Sequence, residues 1–311
     1  MASDVNFEIV EPIAGVEDGI LLAERVFKEI ESSCSRFIAD SPLMVANGSP
    51  HLWHELPELA VSLISNAFAA YCLTGGVFDP RILNDLVDSG YDSAMQFLVG
   101  PVGSESIVTA TFPASGPHGR LAKKWSPKFD GVKVCLGPIP IDLGGIGKGF
   151  AVTEAMAILK EFGSGVLIEA GGDIAVSGKN SEGDLWRIGV EDPWAPDSDP
   201  VLVVEVENSG IATSSIRLRS WKKDGALFHH LIDPSTGKPG GRDLVSVTVI
   251  AESTELAEVW SKTLFLAGAH EIETIAKGRQ IAVAWIETNR TVHTNVQFDD
   301  SVIWAAPTNQ L

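Results

Sequence analysis

The chain has 311 residues, 45% hydrophobic and 21% charged, with a formal net charge of −18. That length can bury a substantial core, and the composition is that of a folded globular protein rather than a disordered one. The acidic balance opposes nonspecific binding to nucleic acid or anionic membranes, and no run approaches the roughly 20 apolar residues of a membrane-spanning helix.

Residues 1–15 contain acids and lack a basic region followed by an apolar core, so no secretory leader is expected there. Ile20, Ala23, Val26, Phe27 and Ile30 recur at helical spacing and predict an amphipathic helix over residues 16–37. Cys34, Cys72 and Cys135 lack metal-ligand spacing and are expected to be buried thiols in a reducing, cytoplasmic setting. A second helix is expected over 56–73, stopped by Gly75 and Gly76. A third opens after the turn Phe78-Asp79-Pro80 and runs through Ile82 and Leu86. Residues 103–130, polar and weakly patterned, read as a long connection or loose hairpin.

Residues 132–141 read as a short strand feeding a glycine-rich loop, with a helix over 151–162 behind it. Strands are expected at 165–170, 174–177, 186–190, 201–206, 228–232 and 244–250. A helix with Ser or Thr at its cap covers 253–266, and strands at 281–285 and 291–296 close the chain. Helices first and mixed strands later argue for an α+β fold over a doubly wound sheet. No flexible linker marks a boundary. The expected organisation is a single domain over 1–311, with a helical part at about 16–95, a ligand-binding core at about 131–270 and terminal strands at about 280–305.

The run from Asp142 to Phe150 places an acid, Gly144, Gly145, Gly147, Lys148 and Gly149 directly before the expected helix. Converging backbone N–H groups, a helix N-terminus and a lysine together describe an anion cradle, with a phosphate or pyrophosphate as its natural ligand. Lys148 is followed by glycine rather than Ser or Thr, so this is not a Walker A loop, and the G-x-G-x-x-G spacing is also missing. Four other segments carry turns and polar groups. They are Thr74-Gly75-Gly76-Val77-Phe78-Asp79-Pro80, Ala170-Gly171-Gly172-Asp173, Ala212-Thr213-Ser214-Ser215, and the stretch from His229 to Gly237. Singly, each also reads as an ordinary turn or strand end.

In order, these segments resemble the ApbE family of FAD:protein FMN transferases, from about Glu31 to Gly268. The matching pieces begin with Cys34-Ser35-Arg36-Phe37, Thr-Gly-Gly-x-Phe-Asp-Pro and Asp-Leu-Gly-Gly-Ile-x-Lys-Gly. Ala-Gly-Gly-Asp, Ala-Thr-Ser and His-x-Ile-Asp-Pro-x-Thr-Gly follow, and then the strand from Val245 to Val249 leading into a helix. The resemblance implies an ApbE-like α+β fold, with mixed, largely antiparallel sheets, packed helices and an FAD-holding cleft between lobes. It implies transfer of FMN from FAD onto a Ser or Thr hydroxyl of a partner flavoprotein, with release of AMP. By the same likeness Val77, Phe78 and Asp79 lie along the flavin or its ribityl chain, with Asp142, Gly145 and Lys148 near the nucleotide and pyrophosphate. Gly171, Gly172, Asp173, Thr213 and Ser214 would shape the cleft, and Ile232 would touch the cofactor. His230, in the family's His position, is the candidate general base or orienting group, an imidazole expected near its ordinary pKa.

The resemblance breaks on the helix following Val245–Val249. Members of the family hold magnesium with an Asp and, one turn later, a Thr; this chain has Glu258 and Lys262 there, on one helix face. Glu258 can still ligate a metal, whereas an ammonium has no lone pair to give. Three readings stay open: Thr263 takes over as ligand, Lys262 neutralises the pyrophosphate in place of the metal, or Glu258 and Lys262 form a plain salt bridge in a chain without transferase activity. Glu169 and Ser215 also depart from the usual pattern. Glu169 adds negative charge that Lys148, Lys262 or Arg217 would have to offset. Besides the transferase, a non-catalytic FAD-binding chain and an FAD pyrophosphatase releasing AMP and FMN remain as alternatives.

Overall fold

The protein was examined as a computed structural model, which describes residues 4–91, 124–217, 219–223 and 226–307. The expected connection over 103–130 falls largely outside them; its last residues form the short strand Lys128–Asp130. A seven-stranded sheet dominates. Its order is Val5–Val10, Gly165–Ala170, Asp173–Gly178, Ser209–Ser215, Leu244–Ala251, Ala282–Glu287 and Val292–Thr294, and every neighbouring pair is antiparallel. The α+β expectation is met.

Alternation along the strands assigns the two faces. Ala212, Val245, Val247, Val249, Val283 and Trp285 point to one face and pack against the helices Thr254–Ala267 and Ala269–Arg279 through Ala257, Trp260, Leu264, Phe265, Ile272 and Ala276. Val176, Ile211, Ala284 and Ile286 point to the other and meet a three-stranded sheet built from Trp186–Val190, Leu202–Val206 and Val302–Ala305. The interior strand Leu244–Ala251 is covered on both faces, and its first six residues are all buried.

The helix Gly147–Leu159 lies between the first two long strand partners and the helix Val16–Cys34, through Ala151, Val152, Ala155 and Leu159 against Ala23, Val26 and Phe27. Its approach to Thr254–Ala267 is so close that a Cβ on Gly149 would stand 2.7 Å from the Thr254 carbonyl oxygen and 2.8 Å from Glu255 Cα. Only glycine permits that contact. The helix begins at Gly147, four residues before the expected start, so Lys148 belongs to its first turn.

Other elements shift for local reasons. The expected strand over 132–141 is reduced to Lys133–Cys135, because both main-chain groups of Ile141 are bonded by the Asn47 side chain at 2.8 and 2.9 Å and need no strand partner. The expected strand over 228–232 is broken at His230 and Leu231 into Ala226–His229 and Ile232–Asp233. The strands Val5–Val10 and Ser209–Ser215 and the helix Ala269–Arg279 lie outside the sequence expectations. Val5, Phe7 and Ile9 alternate with polar residues, a signal that could have found the first. All three cysteines are free, but only Cys34 is buried; burial, with help from Glu29, pushes its thiol up to about 12.

Candidate functional site

A pocket opens where five segments converge. Val77, Phe78, Asp79 and Pro80 form one wall and Arg36, Phe37 and Tyr91 another. Asp142, Gly144 and Gly145 supply the loop, Arg219, His230, Leu231 and Ile232 a third wall, and Lys262 and Leu266 the helix side. Of the expected site residues, Val77, Phe78, Asp79, Asp142, Gly145, His230, Ile232 and Lys262 line the pocket.

The others stand apart from the lining. Gly171 and Gly172, at φ 60° and 86°, are the two exposed residues of a hairpin turn between Gly165–Ala170 and Asp173–Gly178; their positive φ explains the glycines without a ligand. Glu169 spends its carboxylate on the Gly172 N–H at 3.0 Å and on Asn6 at 2.7 Å rather than facing the pocket. Thr213 and Ser214 are consecutive in a strand and therefore point to opposite faces. Ser214 meets Ser261 under the helix at 2.8 Å, while Thr213 pairs with Thr248 at 2.9 Å on the far face, so the two hydroxyls cannot shape one cleft. Arg217 is bound through two nitrogens to Glu191, at 2.6 and 2.8 Å, and is not a pocket cation.

The glycine loop is a different object from an open anion cradle. The helix it opens has no side-chain cap from its own chain segment. Instead Glu258 reaches across from the neighbouring helix, and its Oε2 accepts the Gly149 N–H at 2.8 Å. This satisfies one of the helix's free donors and places a carboxylate at the positive end of its dipole. Lys148, the expected phosphate ligand, is in contact with Asp173. Asp142 accepts the Gly144 N–H at 2.9 Å and faces Arg36 Nε at 3.4 Å. Asp79 is held by Arg81 through two nitrogens, at 3.0 and 2.7 Å, and touches the pocket with no carboxylate oxygen to spare for charge chemistry.

Four charges form two pairs at the pocket: Lys148 with Asp173, and Lys262 with Glu258 at 2.9 Å. Burial penalises the charges on Lys148, Asp173 and Glu258. Against that penalty, Asp173 and Glu258 hold the Lys148 pKa above its ordinary value. Likewise Lys262, Lys148 and the Gly149 N–H hold Glu258 below the usual carboxylate range. Lys262 alone of the four also lines the pocket, with its stem over Gly145: a Cβ there would be 3.4 Å from Lys262 Cδ and Cε and 3.5 Å from Phe78 Cε2.

Magnesium demands oxygen ligands at about 2.0–2.1 Å. Both Glu258 oxygens are taken, one by Lys262 and one by Gly149. Thr263 is buried and does not line the pocket, which removes it as a substitute ligand; its hydroxyl donates to the Val259 carbonyl at 2.7 Å. Among the described residues no group of three His, Cys, Asp or Glu side chains gathers to hold a metal. The residues present do not fit a magnesium ion, and Glu258 is a helix cap and lysine partner rather than a metal ligand.

Two histidines follow one another with different fates. His229 is buried, accepts the Leu231 N–H on Nδ1 at 3.3 Å and packs edge-on against Phe265; burial lowers its pKa to about 4. His230 faces the pocket, and its Nδ1 is buried without a hydrogen-bond partner among the described residues. Burial first, then Arg219, His229 and Lys262, push its pKa well below the ordinary imidazole value expected from sequence. These causes favour the neutral imidazole.

Sequence reasoning missed Arg219, Arg36, Phe37 and Tyr91. Arg36 lies 3.8 Å from the Tyr91 ring centroid and 4.5 Å from that of Phe37, and it donates to the Tyr91 carbonyl at 3.0 Å. Arg219 reaches the pocket with no ion-pair partner among the described residues, and it lies near enough to disfavour protonation of both Lys148 and His230. An arginine two residues beyond Arg217 and shortly before the histidine segment was the available signal.

Comparisons with known proteins agree with the fold. A family model described as the ApbE family matches residues 1–285. An FAD:protein FMN transferase of Salmonella typhimurium is 30% identical over 256 residues, 81% of this chain and 72% of that protein. The FAD:protein FMN transferase of Escherichia coli strain K12 is 32% identical over 147 residues, 47% of this chain and 42% of its own length. Among solved structures, the ApbE protein of Thermotoga maritima superposes with a TM-score of 0.76 at 26% identity, covering 96% of this chain and 99% of that one. The flavin transferase ApbE from Vibrio cholerae gives 0.76 at 24% identity, with 97% and 96% coverage.

Proposed function

Because the chain belongs to the ApbE family, we propose that it moves FMN from FAD onto a Ser or Thr hydroxyl of a partner flavoprotein and releases AMP. The observation that carries this reading is a pocket lined together by His230, whose Nδ1 has no hydrogen-bond partner among the described residues, by the glycine loop and by Lys262.

In the reaction, the acceptor oxygen bonds to the FMN-side phosphorus, the bond from that phosphorus to the bridging oxygen breaks, and AMP departs with that oxygen. His230 Nδ1 accepts the acceptor's O–H and orients it. Its ring takes the proton as the new O–P bond forms, and passes it on to AMP or solvent. Arg219 and Lys262 supply positive charge where negative charge gathers on the diphosphate. Phe78, Val77 and Ile232 offer the flavin apolar walls, and Asp142 with Gly145 borders the nucleotide.

Among the described residues no helix is long and apolar enough to cross a membrane. The three free cysteines suit a reducing compartment, and we place the chain in the cytoplasm on that basis. A second reading, a non-catalytic flavin-binding chain, draws on the closed Glu258–Lys262 pair.

One assay separates these readings: incubation with FAD and a panel of flavoproteins, reading each partner's intact mass and free AMP. A mass gain equal to one FMN, with AMP in step, is the expected result. No gain across a competent panel, with and without magnesium, defeats the transferase. Flavin binding without AMP is the signature of the second reading, and AMP with free FMN that of a pyrophosphatase.

A further inference from the structure

Diphosphate is doubly charged, and this chain carries a net −18, so the pocket must supply local positive charge. A divalent cation would need surplus negative charge to hold it. The floor has none: two ammoniums, Lys148 and Lys262, stand against two carboxylates, Asp173 and Glu258. Wherever the proton lies in the Lys148–Asp173 contact, that pair sums to zero. These four side chains by themselves therefore offer a doubly charged ion beside Lys262 no compensating negative charge.

Lys262 is also fixed in place. Glu258 has a side chain only 1% exposed, and losing the ammonium would leave its charge bare. An ammonium has three donors. One is spent on Glu258 Oε1 at 2.9 Å, and Lys262 borders the pocket beside Gly145, where its remaining donors are available to an anion.

From this geometry we propose that Lys262 is the built-in counter-charge for the FAD diphosphate, so that the chain binds FAD without a divalent cation. The inference rests on the flavin reading above and deepens it. Glu258 holds the ammonium from behind while its other oxygen caps the glycine-loop helix, so one carboxylate fixes both the cation and the loop that faces it. Arg219, also in the pocket lining, adds a second positive charge.

The test is a flavin-fluorescence titration of the full chain with FAD, in EDTA and in excess magnesium. Affinity is expected to agree within about twofold between the two buffers, and Lys262→Met is expected to weaken binding by about tenfold or more in both. The double variant Lys262→Thr with Glu258→Asp, which replaces an ammonium by a hydroxyl and retracts the carboxylate, is expected to bind FAD only with magnesium. A wild-type affinity that falls tenfold or more in EDTA overturns the inference, as does undiminished binding by a folded Lys262→Met variant. The wild-type comparison needs no variant, so misfolding of a mutant does not protect the inference. Metal-dependent binding defeats this inference alone, whereas failure to bind FAD in either buffer defeats the flavin reading with it.

Discussion

Gly149→Ala is expected to destabilise the protein and loosen the pocket together, although alanine is the better helix former. Its Cβ would meet the Thr254 carbonyl oxygen at 2.7 Å, Glu255 Cα at 2.8 Å and Glu258 Oε2 at 2.9 Å. Two of those three atoms are backbone, so the helices Gly147–Leu159 and Thr254–Ala267 must move apart. Overpacking of this kind costs about 1–3 kcal/mol. Separation also stretches the 2.8 Å bond from the Gly149 N–H to the Glu258 carboxylate, a charge-assisted contact whose loss costs about 1.5–3 kcal/mol. Higher helix propensity returns about 1 kcal/mol. The net expectation is a loss of about 1.5–5 kcal/mol by urea denaturation followed through tryptophan fluorescence, with weaker FAD binding because Glu258 no longer holds Lys262 in register. Gly278→Ala is the control. That glycine is exposed in the helix Ala269–Arg279 with nothing within 4 Å of its Cβ position, and the change should be neutral or stabilising by up to about 1 kcal/mol. A Gly149→Ala variant within about 0.5 kcal/mol of wild type would refute the close-approach argument.

Asn47→Ala removes both hydrogen bonds to the Ile141 main chain and is expected to cost about 2–4 kcal/mol on the same denaturation curves, with the loop after Ile141 losing hydrogen-exchange protection. Glu255 has its pKa raised to about 7 by burial, so its ionisation is disfavoured in the folded state. Stability is therefore lost as pH rises from about 4.5 through about 7. Glu255→Gln removes that loss, and its advantage over wild type should grow by about 2–3 kcal/mol between pH 5 and pH 8; a pH-independent difference would contradict the assignment. His229, lowered to about 4, acts with the opposite sign: the unfolded chain binds its proton first, so stability falls as pH drops from about 6.5 to about 4, by about 3 kcal/mol for this group. His229→Asn should flatten that limb of the pH profile. Arg219→Gln is expected to weaken FAD binding about tenfold, while Arg217→Gln, which only releases Glu191, should change it by less than about twofold.

The sequence determined the α+β class, through helical spacing before residue 90 and strand alternation after residue 165, and it marked Val77, Phe78, Asp142, Gly145, His230, Ile232 and Lys262, all of which meet in the pocket. These residues lie in short runs whose residue types are constrained locally, by turns, glycines and strand ends. What the sequence could not decide is which groups remain free after folding. Lys148 reads as the phosphate ligand, yet it is in contact with Asp173, 25 positions away. Glu258 reads as a metal ligand, yet it caps a helix that begins 111 positions earlier, through Gly149 at a separation of 109. Thr213 and Ser214 read as one hydroxyl cluster, and the strand turns them to opposite faces. A hydrogen bond or ion pair consumes a donor regardless of its distance along the chain. Only the tertiary structure showed that the glycine loop's lysine is already in contact with a carboxylate, and that the lysine lining the pocket is Lys262 on the neighbouring helix.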